Sequence, residues 1–284
     1  MSSPVEDLVD LLDLEAIEVN IFRGAQPREE NPLLQRVFGG QVAGQALVAA
    51  ARTVEPERRV HSLHAYFLRP GDMKIPILYE VDHIRDGRSF TTRRVVAIQH
   101  GRAIFNLQAS FMVDEAGYEH QAPMPEVPPA ESLPTMEERL EQHGMEWAIR
   151  PRPIDVRSVE EPVFLNRDAD RTTQHVWFKA AGTLPDDPIL HTCVVTYASD
   201  MTLLDTSLLP HGKTFGDDSL QMASLDHAMW FHRPFRADEW LLYAQETPSA
   251  SGGRGLAQGS IFTAGGDLAV TVVQEGLIRN RRPS

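Results

Sequence analysis

The stretch ILHTCVVTYASDMTLLDTSL, residues 189–208, is a long and mostly apolar run with an acid, Asp200, near its middle. Read as one buried helix, it holds a carboxylate away from both helix ends. Such a group must be paired, hydrogen-bonded or used, because desolvating a charge is costly. A second reading makes Asp200 the cap of a shorter helix beginning at Met201, a position that Asp favours. Helix chemistry alone does not choose between the two.

The neighbourhood of this run has a definite order. Residues 156–164 and 175–181 alternate as strands before it, and residues 222–278 form an antiparallel meander after it. The same order occurs earlier in the chain. A short amphipathic helix at residues 8–14 and a half-buried strand at 16–22 lead to Pro27 and Pro32, which break the pattern. Next comes VFGGQVAGQALVAAARTV from Val37, which has no acid between Glu30 and Glu55. Gly39 and Gly40 mark its start, and its small residues suit a helix whose backbone lies close to a flat surface. From Val60 the sequence alternates again, with Asp86-Gly87 and His100-Gly101 as turns.

Between the two halves lies a proline-rich, polar segment with one helical stretch, MEERLEQHG. It reads as a linker. The expected division is a first unit at 1–115, a linker at 116–153 and a second unit at 154–284. Setting Arg69-Pro70 on Arg233-Pro234, an offset of 164, also places Phe67 on Phe231, Tyr66 on Trp230 and Tyr79 on Tyr243. Two further residues of shift bring Gly87 onto Gly253 and Gln108 onto Gln274.

The repeat serves as an internal control, since chemistry found in one half alone is not a requirement of the fold. Asp200 has no acidic counterpart in the first-half helix, and Ser224 falls on Val60. Gln274 is expected to fall on Gln108. Asp200, Ser224 and Gln274 converge if the helix and sheet pack face to face. A carboxylate then serves as general base to a water, and a hydroxyl and a carboxamide hold that water in place. No G-x-S-x-G elbow occurs and no histidine pairs with Ser224, which argues against a serine nucleophile. Taken singly, each residue has a plainer explanation: a strand-edge serine bonded locally, or a glutamine facing solvent.

Composition narrows the remaining classes. A formal charge of -13 argues against nucleic acid as the main partner. Cys193, the one cysteine, excludes an intrachain disulfide and reads as a small buried residue. The N-terminal MSSPVEDLVDLLDLEAIEV carries acids and lacks a basic signal-peptide start. No apolar run reaches the ~20 residues of a membrane span, so a cytoplasmic protein is expected. GGRGLAQG, residues 252–259, misses the dinucleotide spacing, and no metal-ligand set accompanies His227, so neither cofactor nor metal is expected.

YASDMTLLDTSLLPHG, SLDHAMWFHRPFRADEWLLYAQETPSASGGRG and TVVQEGLIR in the second half, with VFGGQVAGQAL and HSLHAYFLRPGD in the first, resemble the acyl-CoA thioesterase II, or TesB-like, double-hotdog thioesterases. The resemblance spans the chain apart from the linker. It implies an α+β tandem hotdog, each unit an antiparallel sheet wrapped round a long central helix. It also implies hydrolysis of fatty acyl-CoA to free acid and CoA. The family's water-binding trio falls on Asp200, Ser224 and Gln274; many members carry Thr at the position of Ser224. His64, in HSLHAYF, resembles a recurrent family histidine and is expected to be buried and structural. Backbone N–H groups around Gly39 and Gly40, or a helix start in the second half, would hold the oxyanion. The acyl chain would lie between the two units.

Arginines crowd both meanders, and none is assigned to the CoA phosphates. Exposed sheet edges favour a homo-oligomer, a dimer or higher. Two other readings remain: an enoyl-CoA hydratase or dehydratase on the same scaffold, which would pair its acid with a histidine, and a non-catalytic acyl-CoA-binding module.

Overall fold

Small residues decide how closely the two central helices approach. The computed structural model describes residues 2–26, 36–145, 148–162, 164–165, 171–214 and 217–281. Within it the segment beginning at Gly39 is a helix, Gly39–Ala51, buried along nearly its whole length. The run opening at residue 189 supplies a second helix, Pro188–Ser199, started by the Asp187 carboxylate accepting from the Ile189 N–H at 2.9 Å. The two pack against each other where glycine removes the side chain. A β-carbon at Gly40 would strike the Tyr197 carbonyl, and one at Gly44 would lie 3.3 Å from the Cys193 carbonyl.

Numbered along the chain, the helices are α1 (Pro4–Leu12), α2 (Gly39–Ala51), α3 (Met136–Gln142) and α4 (Pro188–Ser199). Ser3 and Glu6 exchange side-chain and backbone hydrogen bonds in a capping box at the start of α1, which packs Leu12 onto Gly44 of α2. The strands are β1 (Glu15–Glu18), β2 (Ile21–Arg23), β3 (Arg59–Phe67), β4 (Leu78–Asp86), β5 (Phe90–Gln99), β6 (Arg102–Met112), β7 (Ile154–Ser158), β8 (Thr173–Ala180), β9 (Leu220–Ser224), β10 (Asp226–Phe231), β11 (Leu241–Ser251), β12 (Arg254–Thr263) and β13 (Leu268–Asn280).

Among the described residues these strands form one antiparallel sheet, in the order β1-β2-β4-β5-β6-β3-β10-β13-β12-β11-β8-β7, with β9 beside β13. The order is the same read inward from either edge: β1-β2-β4-β5-β6-β3 from one side, β7-β8-β11-β12-β13-β10 from the other. This is a double hotdog, joined where β3 pairs with β10 (Leu63 opposite Met229). Each half wraps its strands over its own helix. Tyr79 and Tyr243 sit at equivalent buried positions.

Several expectations are corrected. Residues 189–208 are not one helix: α4 ends at Ser199, and a 3-10 helix, Leu204–His211, follows a turn. Asp200 is therefore the C-cap of α4, neither mid-helix nor the cap of a helix starting at Met201. Residues 16–22 are not one strand but a tight hairpin, β1–β2, turned by Asn20 at φ 64°. The strand expected at 156–164 ends at Ser158. Pro27 and Pro32 lie outside the described residues. The proline-rich segment holds α3, capped by Thr135 and Glu138, and leans on the second half where Trp177 Nε1 donates to the Pro128 carbonyl at 2.9 Å.

Candidate active site

The C-terminal end of a helix is a poor place for a carboxylate, because the unpaired carbonyls there carry partial negative charge. Asp200 occupies that end of α4 and faces the opposite, positive end of α2. Phe38, which precedes α2, has no side chain able to cap it, so its first N–H groups are open to another acceptor. The Gly40 N–H lies close enough to the Asp200 carboxylate to favour its charged form.

Gln274 Nε2 donates to Asp200 Oδ1 at 2.7 Å, and the Ser224 hydroxyl lies close enough to the carboxylate to favour its charged form. The structure thus brings together all three residues singled out from the sequence. Gln274 points inward from β13 and is fully buried. Ser224 reaches the site because the strand it ends is interrupted at Leu225. The Asp226 carboxylate takes the Glu275 N–H at 2.6 Å, the place a regular ladder partner would occupy, and β9 and β10 separate there.

Burial raises the Asp200 pKa to about 6, against the opposing pull of the Gln274 hydrogen bond, the nearby Gly40 N–H and Ser224 hydroxyl, and the Arg36 charge. A second acid, Asp205, lies on the same wall from the 3-10 helix. Burial, aided by the Asp200 charge, pushes it up to about 7. Asp205 stands in the same apolar run as Asp200, near its end, and no spacing along the chain distinguishes it from a surface acid.

Asp200, Asp205 and Ser224 line a cleft of about 510 Å³, with Gln274 buried behind Asp200. The first half contributes Phe38, Val42, Phe67 and Phe105; the second contributes Tyr197, Met201, Leu204 and Met222. The cleft lies between the two halves and is mostly apolar. Its basic residues are Arg36 and Arg69, whereas Arg93, Arg94, Arg233, Arg236 and Arg254 of the two meanders are held by acids elsewhere.

The expectation for His64 is corrected. It lies exposed on the outer face of β3, edge-on to Trp230 at 5.2 Å, and takes no part in the site. His227 does face inward, opposite to Asp226, as strand alternation requires. Cys193 is buried, and burial raises its thiol pKa far above the usual range, so it is an inert core residue.

The expected match of Gln108 with Gln274 also fails. Gln108 is exposed on β6, while Gln274 is fully buried. At the offset of 164 Ala65 falls on Met229, so their partners Leu107 and Val272 match, which places Ala109, at an offset of 165, in the position of Gln274. All three members of the trio are therefore confined to the second half.

Two family models match the chain: "Acyl-CoA thioesterase" over residues 153–277 and "Acyl-CoA thioesterase N-terminal domain" over residues 27–112. Acyl-coenzyme A thioesterase 8 of Mus musculus is 43% identical over 96% of this chain and 88% of its own length. Acyl-CoA thioesterase 2 of Haemophilus influenzae is 42% identical over 98% of this chain and 99% of its own. The crystal structure of an acyl-CoA thioesterase II, TesB2, from Mycobacterium marinum superposes with a TM-score of 0.80 at 48% identity, covering 97% of this chain and 98% of that one. With the double-hotdog fold and the continuous match along both halves, the chain belongs to the acyl-CoA thioesterase family.

Proposed function

We propose that this protein hydrolyses fatty acyl-CoA thioesters to free fatty acid and CoA by direct attack of water, with Asp200 as the base. The observation that carries it is the Asp200–Gln274 hydrogen bond at the wall of an apolar cleft, beside the open N-terminus of α2. A carboxylate whose pKa is raised to about 6 is a stronger base than an ordinary aspartate and is still mostly ionised at neutral pH.

In the proposed reaction a water held by Ser224 and Gln274 gives its proton to Asp200 as its oxygen bonds to the thioester carbon. The carbonyl oxygen takes up the electron pair, and N–H groups at the start of α2, which no side chain of its own cap satisfies, are the proposed donors for that charge. Collapse of the tetrahedral intermediate breaks the C–S bond. The CoA thiolate leaves, and the proton on Asp200 passes to it or to solvent. The acyl chain occupies the apolar cleft, while Arg36 and Arg69 suit the phosphates of CoA at its rim.

The same reading takes residues 1–115 and 154–284 as the two units joined by a linker. It also takes the chain as a cytoplasmic homo-oligomer that pairs through its free sheet edges. Release of free thiol from acyl-CoA of graded chain length tests the activity, with Asp200→Asn expected to lose roughly 10²–10⁴-fold in kcat. Stoichiometric binding without thiol release would establish a binding module instead. Undiminished turnover by Asp200→Asn would overturn the mechanism.

A further inference from the structure

A buried carboxamide can be turned end for end, and only one of its two settings helps a carboxylate. With Nε2 towards Asp200, Gln274 donates; reversed, it would set one acceptor against another. The far side of the amide must therefore be held. There, two buried atoms lack a partner of ordinary hydrogen-bond geometry: Gln274 Oε1 and His227 Nδ1. They belong to neighbours. Ala228 of β10 pairs with Val273 of β13, so His227 and Gln274 lie side by side on the inner face, each with 0% of its surface exposed. The carboxamide lies near enough to favour the charged form of the imidazole, against a burial that pushes its pKa down to about 4 and keeps the ring neutral.

Beyond the ring, His227 Nε2 lies 2.9 Å from Oγ of Ser199, the residue immediately before Asp200. Ser199 has one hydroxyl hydrogen and three acceptors around it: the Thr196 carbonyl at 2.9 Å, His227 Nε2 and Met229 Sδ. One assignment satisfies every member of the chain. Ser199 donates to Nε2, Nδ1–H points to Gln274 Oε1, and Gln274 Nε2 donates to Asp200. The other tautomer leaves Oε1 facing a lone pair in a dry core.

The first half again supplies a control. At the offset of 164 the counterpart of His227 is Leu63, and at that of 165 the counterpart of Gln274 is Ala109; both are buried and apolar. A hotdog unit packs without a histidine or a glutamine in this layer.

We infer that His227 is a positioning residue: held by Ser199 in its Nδ1–H form, it fixes the Gln274 carboxamide with its N–H towards Asp200. It rests on the trio proposed above. The test is steady-state acyl-CoA hydrolysis, with pH profiles, for His227→Leu, His227→Asn, His227→Gln, Gln274→Ala and the double variant of His227→Leu with Gln274→Ala. Leu, the residue already present in the first half, keeps the fold. Its kcat falls between about 10- and 100-fold with KM little changed, and the acid limb of kcat/KM moves upward as Asp200 loses a donor. Asn sets its amide where Nδ1 stands and restores much of the rate. Gln, reaching only the Nε2 position, does not. In the Gln274→Ala background, His227→Leu costs nothing further.

Native kcat and an unmoved limb in His227→Leu would overturn the inference, as would equal rates for Asn and Gln, or losses that multiply in the double variant. Should the Leu variant fail to fold, the Asn and Gln pair decides. The two proposals fail separately: a fast Gln274→Ala sinks the trio, whereas a slow Gln274→Ala beside a fast His227→Leu sinks the histidine alone.

Discussion

Gly39 and Asp200 are so close that a β-carbon on Gly39 would lie 2.6 Å from Oδ2 of the carboxylate. The acid that ends one central helix is seated directly on the start of the other, with no room for a side chain between them. Gly39→Ala displaces the Asp200 carboxylate and crowds Phe67, 2.9 Å from the same point. Its kcat is expected to fall by at least about 10-fold, with loss of stability below about 2 kcal/mol because Phe67 lies on the cleft wall and can give. Gly40→Ala meets the Tyr197 carbonyl, which is backbone, and is expected to lower the melting temperature more. Thermal melts beside thiol-release rates separate the two effects.

The rate should follow the ionisation of Asp200. Its pKa is raised, and only the carboxylate form accepts a proton, so kcat/KM is expected to rise with pH through about 6 and to be lost below it. A profile of the native enzyme from acid to neutral pH checks the position of this limb. An acid limb near an ordinary aspartate value would show that burial does not govern the base.

Asp205 should make the folded state lose stability as pH rises. Folded, its carboxyl holds a proton up to about 7; unfolded, it releases it near the ordinary value. Its contribution is thus favourable at acid pH, relative to alkaline pH, and fades as pH rises through about 7. Asp205→Asn is expected to gain roughly 1 kcal/mol over the native chain at pH 8, after screening by the open cleft, and little at pH 4. Denaturant titrations at the two values measure the difference.

Ser224 contributes a hydroxyl rather than a nucleophile. Ser224→Ala is expected to slow turnover about 10-fold, the scale of one hydrogen bond. Ser224→Thr keeps the hydroxyl and restricts its rotamer, so it should turn over at least as fast as the native enzyme. Complete inactivity of the Ala variant with accumulation of an acylated native protein would point to covalent catalysis instead.

Arg69 sits at the cleft rim, its Nη1 donating to the Ala103 carbonyl at 2.6 Å. Arg69→Ala is expected to raise KM for acyl-CoA several-fold and to weaken its dependence on salt. It should leave an acyl thioester of N-acetylcysteamine, which has no phosphates, unaffected.

Sequence alone determined a good deal about this protein. The alternation and turns of both halves, the small-residue helix, the repeat and the confinement of Asp200 and Ser224 to the second half all follow from local pattern. Local pattern is legible because periodicity, turn chemistry and helix propensity act over a few residues. The trio could be named because an acid in an apolar run stands out wherever it folds. Tertiary structure decided the rest. Whether residues 189–208 form one helix or break at Asp200 depends on what the carboxylate meets, and it meets the Gly40 N–H of a helix some 160 positions earlier. The inner or outer face of Gln108, Gln274 and His64 depends on a register set by distant strand pairs, where a slip of one residue exchanges the faces. Asp205 and His227 gain their character from burial beside Asp200 and Gln274, which no spacing along the chain records.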